Sequence, residues 1–327
     1  MERFEYASPT SRKEAISLLA AEWGQTEVLA GGTDLISCMK DYACTPKRVV
    51  SLKRISDLRG IHNSGKELRI GSMTTIRELL EDEHVRQGYP ALIQSAEYIR
   101  SEQLRNMGTI GGELLQRPRC WYFRLGYGLL AQYNGKSLVP DGDNRYHAIL
   151  GNSGPAYFVS PSMMAPILIA MGAQVRLEGP DGARTIALEK LYTTPTQPNE
   201  REHTLRPNEI LTEIIVPRQE GVRGAVYEVR QKEALDWPLT AAAVVLKMNG
   251  NTVNRARVVL GHVAPVPWPS PEAEQALEGK TVSEDVADAA GKAAVSKATP
   301  LSMNGYKVQL ARVAVKRAIL QAAQGGA

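Results

Sequence analysis

The stretch "EVLAGGTDLI", Glu27 to Ile36, runs from a short apolar segment that reads as a strand into two adjacent glycines, followed by Thr33 and Asp34. Glycine gives backbone freedom and allows close approach, so a pair serves an ordinary turn as readily as a binding loop. The flanking residues sharpen the reading. "EVLA" and "RVVSL" are β-branched runs on either side, and "DLISCMKDY" after the glycines reads as helical, which makes the pair a strand-to-helix junction. Backbone amides at such a junction face outward and can bind an anion. Upstream, "SPTSRKEAISLLAAEWG" offers Ser8 or Thr10 as a helix cap and ends at Gly24, so residues 1–58 have the rhythm of a small α/β unit.

From Arg59 onward, "ELRIGSMTTIRELL" reads as a strand entering a helix capped by Thr74 or Thr75. "YPALIQSAEYI" and "SEQLRNM" read as helices, and "NMGTIGGELL" then breaks the pattern with a second Gly-Gly pair. "AQVRLEG", "ARTIAL" and "ILTEIIVP" read as strands of a mostly antiparallel sheet, the first two joined by the turn "GPDG" at residues 179–182. From Gly221 the pattern changes again. "AVYEVRQ" and "LTAAAVVLKMNGNTVNRARVVLGHV" predict three strands, two of them a hairpin across "NGN". Three helices follow, the last within "NGYKVQLARVAVKRAILQAA", and "PVPWPSP" reads as a short connector. Residues 116–160 have little periodicity. Their aromatics, including Trp121, Tyr122, Phe123 and Tyr127, argue for an ordered functional loop.

A chain of 327 residues holds about two domains, and 43% hydrophobic with 23% charged residues is ordinary for a globular protein. The net charge of +4 is scattered, with no Lys/Arg run that would suit nucleic acid or an anionic membrane surface. No apolar run approaches the roughly 18 residues of a membrane span, and "MERFEYASPTSRKEA" lacks the apolar core of a signal peptide. Three cysteines, Cys38, Cys44 and Cys120, do not make a disulfide framework, and a reducing compartment is expected. The five histidines (62, 84, 147, 203 and 262) show no metal-like spacing and read as surface or loop residues.

"LAGGTDL" and "GTIGGEL" share one grammar: adjacent glycines, a Thr hydroxyl and successive backbone N–H groups read as free. Two such nests facing each other would surround a diphosphate with amide dipoles. Neither matches a Walker loop or the G-x-G-x-x-G fingerprint. In chain order, "LAGGTDLISCMK", "QLRNMGTIGGELLQ", "EILTEIIVP", "VRQKEALDWPLTAAAVVL", "GHVAPVPWPSPEAEQAL" and "SMNGYKVQLARVAVKRAI" resemble the FAD-binding medium subunits of the molybdenum hydroxylase family. That family includes the flavoprotein subunits of xanthine dehydrogenases, aldehyde oxidoreductases and carbon monoxide dehydrogenases, and the resemblance covers nearly the whole chain.

The resemblance implies an α+β fold. A two-lobed, vanillyl-alcohol-oxidase-like (PCMH-type) FAD-binding domain would span 1–220, with lobes 1–58 and 59–220 and the insertion 116–160. A smaller α+β domain, 221–327, would carry a three-stranded antiparallel sheet and helices. It also implies non-covalent FAD. Leu29, Ala30, Gly31, Gly32, Thr33, Asp34 and Leu35 would wrap the diphosphate, with Asn106, Thr109, Ile110, Gly111, Gly112 and Glu113 as the second wrap. Ile210 and Leu211 would lie near the isoalloxazine ring, with Arg230 and Lys232 as candidate charges facing it.

No catalytic or metal-ligating residue is expected on this chain. The substrate would be oxidised at molybdopterin on a large partner subunit. Electrons would pass through iron–sulfur clusters on a small partner subunit to this FAD and on to an external acceptor. An independent FAD oxidase and a flavin-free scaffold are the alternatives. The expected location is cytoplasmic, or periplasmic if a partner carries an export signal. The sequence departs from the family pattern where Asn is usual and Glu113 stands, and where an Asp is common and Met163 stands, in "SPSMMAP". Some relatives hold a four-iron cluster in the insertion. Here that segment has one cysteine, Cys120, and is expected to hold no metal.

Overall fold

The structure is a computed structural model that describes residues 1–232 and 236–325. The part of "VRQKEALDW" at 233–235 lies outside the described residues. The N-terminal unit is a parallel sheet in which Arg48–Ser51 lies between Glu5–Ala7 and Thr26–Leu29. Parallel neighbours need crossovers, and here helices Arg12–Ser17 and Leu35–Lys40 lie in those connections. Ser11 caps the first helix by accepting from Glu14 N (3.2 Å), so the cap falls on neither Ser8 nor Thr10. Thr75 caps Ile76–Glu81 in a reciprocal box with Glu78.

A five-stranded antiparallel sheet follows, in the order Ile61–Asn63, Glu67–Gly71, Ile210–Pro217, Gln174–Gly179 and Gly182–Ala187. The "GPDG" hairpin closes as expected, with Gly182 at φ +106° in the left-handed region. Helices Pro90–Glu97 and Ala165–Ala170 lie in the main core with Leu68, Ile70 and Ile214 of this sheet.

The third sheet has four antiparallel strands, not the expected three: Val222–Val229, Thr240–Asn249, Thr252–Gly261 and Trp268–Pro269. The extra strand comes from "PVPWPSP". Proline cannot donate to a ladder, which disguises the segment in sequence, but an edge position tolerates it. Residues 240–246 are all buried because the sheet is covered on both sides. Helix Tyr306–Ala323 packs on one side and Ala165–Ala170 on the other, and alanines at 241–243 let them approach. Among the described residues, no helix is long and apolar enough to cross a membrane.

The insertion has its own small core of Phe123, Leu129, Leu130, Ala156 and Phe158. It is tied to the C-terminal helix by Lys307, which is 1% exposed. Its ammonium donates to the carbonyls of Tyr146 (3.1 Å), His147 (3.1 Å) and His262 (2.8 Å). Burial pulls the Lys307 pKa down to about 7. His147 and His262 lie in loops, as expected, but are buried there instead of on the surface. His262 holds φ +61°, and neither ring nitrogen has a partner among the described residues.

Burial, helped by the Lys307 charge, lowers His147 to about 4 and His262 to about 3, the latter also facing Arg230. Asp143 offsets part of the effect at His147. A histidine held neutral in the fold and free to charge at about pH 6.5 when unfolded makes the unfolded state bind more protons. Its contribution is therefore complete above about pH 6.5 and is lost as pH falls towards the folded value. The melting temperature should fall between pH 6.5 and 4. His262→Asn tolerates the positive φ and cannot charge, so it should remove about 3 kcal/mol of that pH-dependent loss. An unchanged slope in the variant would refute the assignment.

Candidate functional site

The first glycine loop leaves strand Thr26–Leu29 and enters helix Leu35–Lys40. Gly32 sits at φ +87°, where a side chain is strained. Gly31 is small for a different reason: a Cβ there would run into the Met107 carbonyl. The two Gly-Gly motifs are therefore in direct contact. Among the described residues, no acceptor takes the amides of Gly31, Gly32, Thr33, Asp34 or Leu35, so this loop is a nest of free donors.

The second motif differs from the reading of free amides. Thr109 caps a helix, Ile110–Leu114, and its hydroxyl accepts from Gly112 N (3.1 Å). Ile110 N donates to the Thr74 carbonyl and Gly111 N to the Ser72 carbonyl, both at 2.9 Å. These amides fasten the motif to the 72–74 turn. Gly111 is small because a Cβ would meet Ser72 at 2.8 Å.

A cavity of about 240 Å³ opens along these two motifs. Of the predicted residues, Ala30, Gly31, Gly32, Thr33, Asp34, Leu35, Thr109, Gly111, Gly112, Glu113, Ile210 and Leu211 line it. Leu29 and Ile110 lie behind the wall in apolar cores. Asn106 is exposed and accepts from Arg77 (3.2 Å). Arg230 is turned inward, paired with Glu228 and donating to the carbonyls of Asp236 (2.9 Å) and Tyr98 (2.5 Å). Its guanidinium therefore stands behind Met163 instead of on the cavity wall. Lys232 is exposed.

The insertion supplies what the sequence reading missed. Asp34 accepts from Arg117 N (2.7 Å) and Arg124 (2.8 Å) and forms an ion pair with Arg119 (3.0 Å). Arg117 also pairs with Glu202 at 2.5 Å. At another part of the wall, Arg201 lies over the Trp23 ring, 4.6 Å from its centre, and bonds Glu27 at 2.6 Å. Burial raises the Glu27 pKa against the opposing charge of Arg117. His203 meets Trp23 edge-on at 5.5 Å. Within the wall, Ser72 Oγ, Arg119 Nε, His203 Nδ1 and Trp237 Nε1 are buried with no partner among the described residues. Buried polar atoms are normally satisfied, so four orphans on one cavity mark a place where a polar ligand completes them. The three loop arginines at 117, 119 and 124 were the available signal.

The Glu113 carboxylate points away from the glycines. It accepts from Ser162 Oγ (2.7 Å), Met163 N (2.6 Å) and Gln116 Nε2 (3.1 Å), at the entry to the buried helix Ala165–Ala170. Burial pushes its pKa up to about 7, while these donors hold it lower than burial alone would. Cys120 Sγ lies 3.2 Å from His147 Nε2, and burial pushes its thiol up to about 11. Among the described residues, no three His, Cys, Asp or Glu side chains are grouped to hold a metal ion.

Residues 2–219 match the FAD binding domain in molybdopterin dehydrogenase, and residues 225–322 match the CO dehydrogenase flavoprotein C-terminal domain. The chain is 30% identical to the carbon monoxide dehydrogenase medium chain of Hydrogenophaga pseudoflava, over 97% of this chain and 96% of the relative. It is 29% identical to the aldehyde oxidoreductase FAD-binding subunit PaoB of Escherichia coli (strain K12), over 95% and 96%. A solved carbon monoxide dehydrogenase from Hydrogenophaga pseudoflava superposes with a TM-score of 0.79 at 30% identity, covering 100% of this chain and 99% of that one. The reconstituted CO dehydrogenase from Oligotropha carboxidovorans gives 0.79 at 27% identity, covering 99% of each. The chain belongs to the family of FAD-binding subunits of molybdopterin-dependent dehydrogenases.

The capping role of Glu113 is open to direct test. Glu113→Ala leaves Met163 N buried without its acceptor and should cost about 1–3 kcal/mol, read as a lower melting temperature in the flavin-free chain. A melting temperature equal to that of the parent would show that the carboxylate is not holding this helix entry.

Proposed function

We propose that this chain is the electron-transfer flavoprotein subunit of a multi-subunit molybdenum hydroxylase, binding FAD non-covalently in the cavity between the two glycine motifs. The observation that carries the reading is the row of free amides from Gly31 to Leu35 on one wall, together with buried orphan donors elsewhere on it. Free amides at a strand-to-helix junction suit an anionic diphosphate. Thr109, Gly111 and Gly112 act mainly by shaping the second wall, since the two glycine amides are engaged and the Thr109 hydroxyl accepts one of them. Ile210 and Leu211, apolar and at the cavity edge of the central strand, suit a flat ring system.

Bound there, FAD would supply the redox chemistry, exchanging electrons between iron–sulfur clusters and an external acceptor. The protein's own part is to position, enclose and electrostatically tune it. The partners in this reading are a molybdopterin-binding large subunit and an iron–sulfur small subunit, in line with relatives named as medium chains and FAD-binding subunits. We further propose a PCMH-type FAD domain of two lobes ending near residue 220, supported by the separate cores of the N-terminal unit and the five-stranded sheet. The four-stranded sheet and its helices make the second domain. Three free cysteines suit a cytoplasmic location.

The purified chain should show a flavin spectrum, and acid precipitation should release the flavin into the supernatant. Gly112→Val puts a side chain towards Thr109 and Ala30, narrowing the gap between the motifs, and should lower flavin content in a folded protein. Full flavin content in that variant would end the cradle assignment. The isolated chain should be reduced quickly by dithionite and poorly by aldehydes or purines. Rapid direct reduction by such a substrate would favour an independent oxidase.

A further inference from the structure

Asp34 sits at the end of the free-amide loop and holds two guanidinium groups from the insertion. They are not equivalent. Arg124 is engaged through all three nitrogens: it donates to Cys38 Sγ (2.7 Å), Asp34 (2.8 Å), the Pro118 carbonyl (3.0 Å) and the Arg117 carbonyl (3.2 Å). Arg119 is not. One terminal nitrogen forms an ion pair with Asp34 (3.0 Å), and the other donates to Gln116 Oε1 (3.1 Å). Its Nε is buried and has no acceptor among the described residues.

The Arg119 guanidinium is stacked 4.3 Å from the Trp237 ring centre, and Trp237 Nε1 is a second buried donor with no acceptor among the described residues. Both side chains line the cavity. Stacking fixes the plane of the guanidinium fork, so its remaining donor is pre-aimed. Two guanidinium groups thus face the one carboxylate of Asp34 at this loop.

We propose that Arg119 is the side-chain cation that binds the cofactor diphosphate, with Trp237 Nε1 as a neighbouring donor and the Gly31–Leu35 amides as the main-chain part of the same site. The inference rests on the FAD reading above and deepens it. A diphosphate carries negative charge that amide dipoles alone meet only in part, and a charge-assisted bond from a half-buried arginine supplies the rest. Asp34 has the role of holding Arg119 at the loop, not of touching the ligand.

The test is titration of the flavin-free full chain with FAD and with riboflavin, which lacks phosphate, followed by flavin fluorescence. Arg119→Met should weaken FAD roughly ten- to a hundredfold while leaving riboflavin unchanged. Trp237→Phe keeps the stack, removes the N–H and should weaken FAD several-fold. Asp34→Asn loosens the hold on Arg119 and should weaken FAD by less than Arg119→Met does, again with riboflavin unchanged. Unchanged FAD affinity in Arg119→Met would overturn the proposal, as would equal losses for FAD and riboflavin, which would place the contact on the ring. A loss in Asp34→Asn as large as in Arg119→Met would also overturn it, because Arg119 would then act only by holding the loop. Should Arg119→Met fail to fold, Arg119→Gln is read against the same outcomes. A parent chain that takes up riboflavin but not FAD refutes the inference alone, and one that binds neither refutes the cofactor reading itself.

Discussion

The approach of Gly31 to the Met107 carbonyl is the contact on which the rest of the site depends. It joins the small parallel sheet to the helical segment beside the five-stranded sheet, at a separation that no side chain permits. The amides of the first have no acceptor among the described residues, whereas Ile110 N and Gly111 N of the second fasten it to the 72–74 turn. The second motif is a rigid wall and the first a set of donors. Two similar sequence patterns thus do different work, and the difference comes from where each lies relative to its neighbours.

The insertion then closes the arrangement electrostatically. Asp34, at the helix entry, would be an unfavourable charge beside an anion, but it is matched by arginines at 119 and 124 and an amide at 117. The far side of the insertion is pinned by Lys307, a buried cation with no carboxylate partner among the described residues, satisfied by three carbonyls. A buried charge with all its donors used is tolerable, though costly enough to pull its pKa down to about 7. Residues 116–160 therefore act as a strap between the glycine loop and the C-terminal helix, with an aromatic cluster of Trp121, Tyr122, Tyr146 and His147 along it.

What sequence reveals and conceals follows from the range of the forces involved. The strands, the "GPDG" and "NGN" hairpins and the glycine junction were legible because turn chemistry and two-residue alternation are local. The fourth strand of the last sheet was not, because prolines at an edge hide a pairing made only at Leu260 and Val259. Arg119, Arg124 and Arg201 were also missed. Their partners lie between 83 and 174 residues away in comparable pairs, such as Arg117 with Asp34 and Arg201 with Glu27, and no periodicity encodes such a match. Arg230 failed in the opposite sense: a charge on a strand near the site was drawn inward by Glu228, a neighbour two positions away. Charge and position alone do not give direction.

The two departures from the family pattern turn out to be one. Glu113 replaces a usual Asn and Met163 replaces a common Asp, and each taken singly looks like the loss of a polar contact. In the fold, the Glu113 carboxylate reaches Met163 N at 2.6 Å and Ser162 Oγ at 2.7 Å. A carboxylate is thus present beside position 163, delivered from a different strand of chain. The longer glutamate side chain spans the gap that an aspartate at 163 would not need to cross. Met163, freed from that task, lines the cavity and receives Arg230 through its sulfur at 3.6 Å. The exchange also moves the charge away from the glycines, so the carboxylate caps a helix entry, where negative charge is favoured. Its pKa near 7 records the balance: burial opposes the charge, and the donors at 116, 162 and 163 restore part of it.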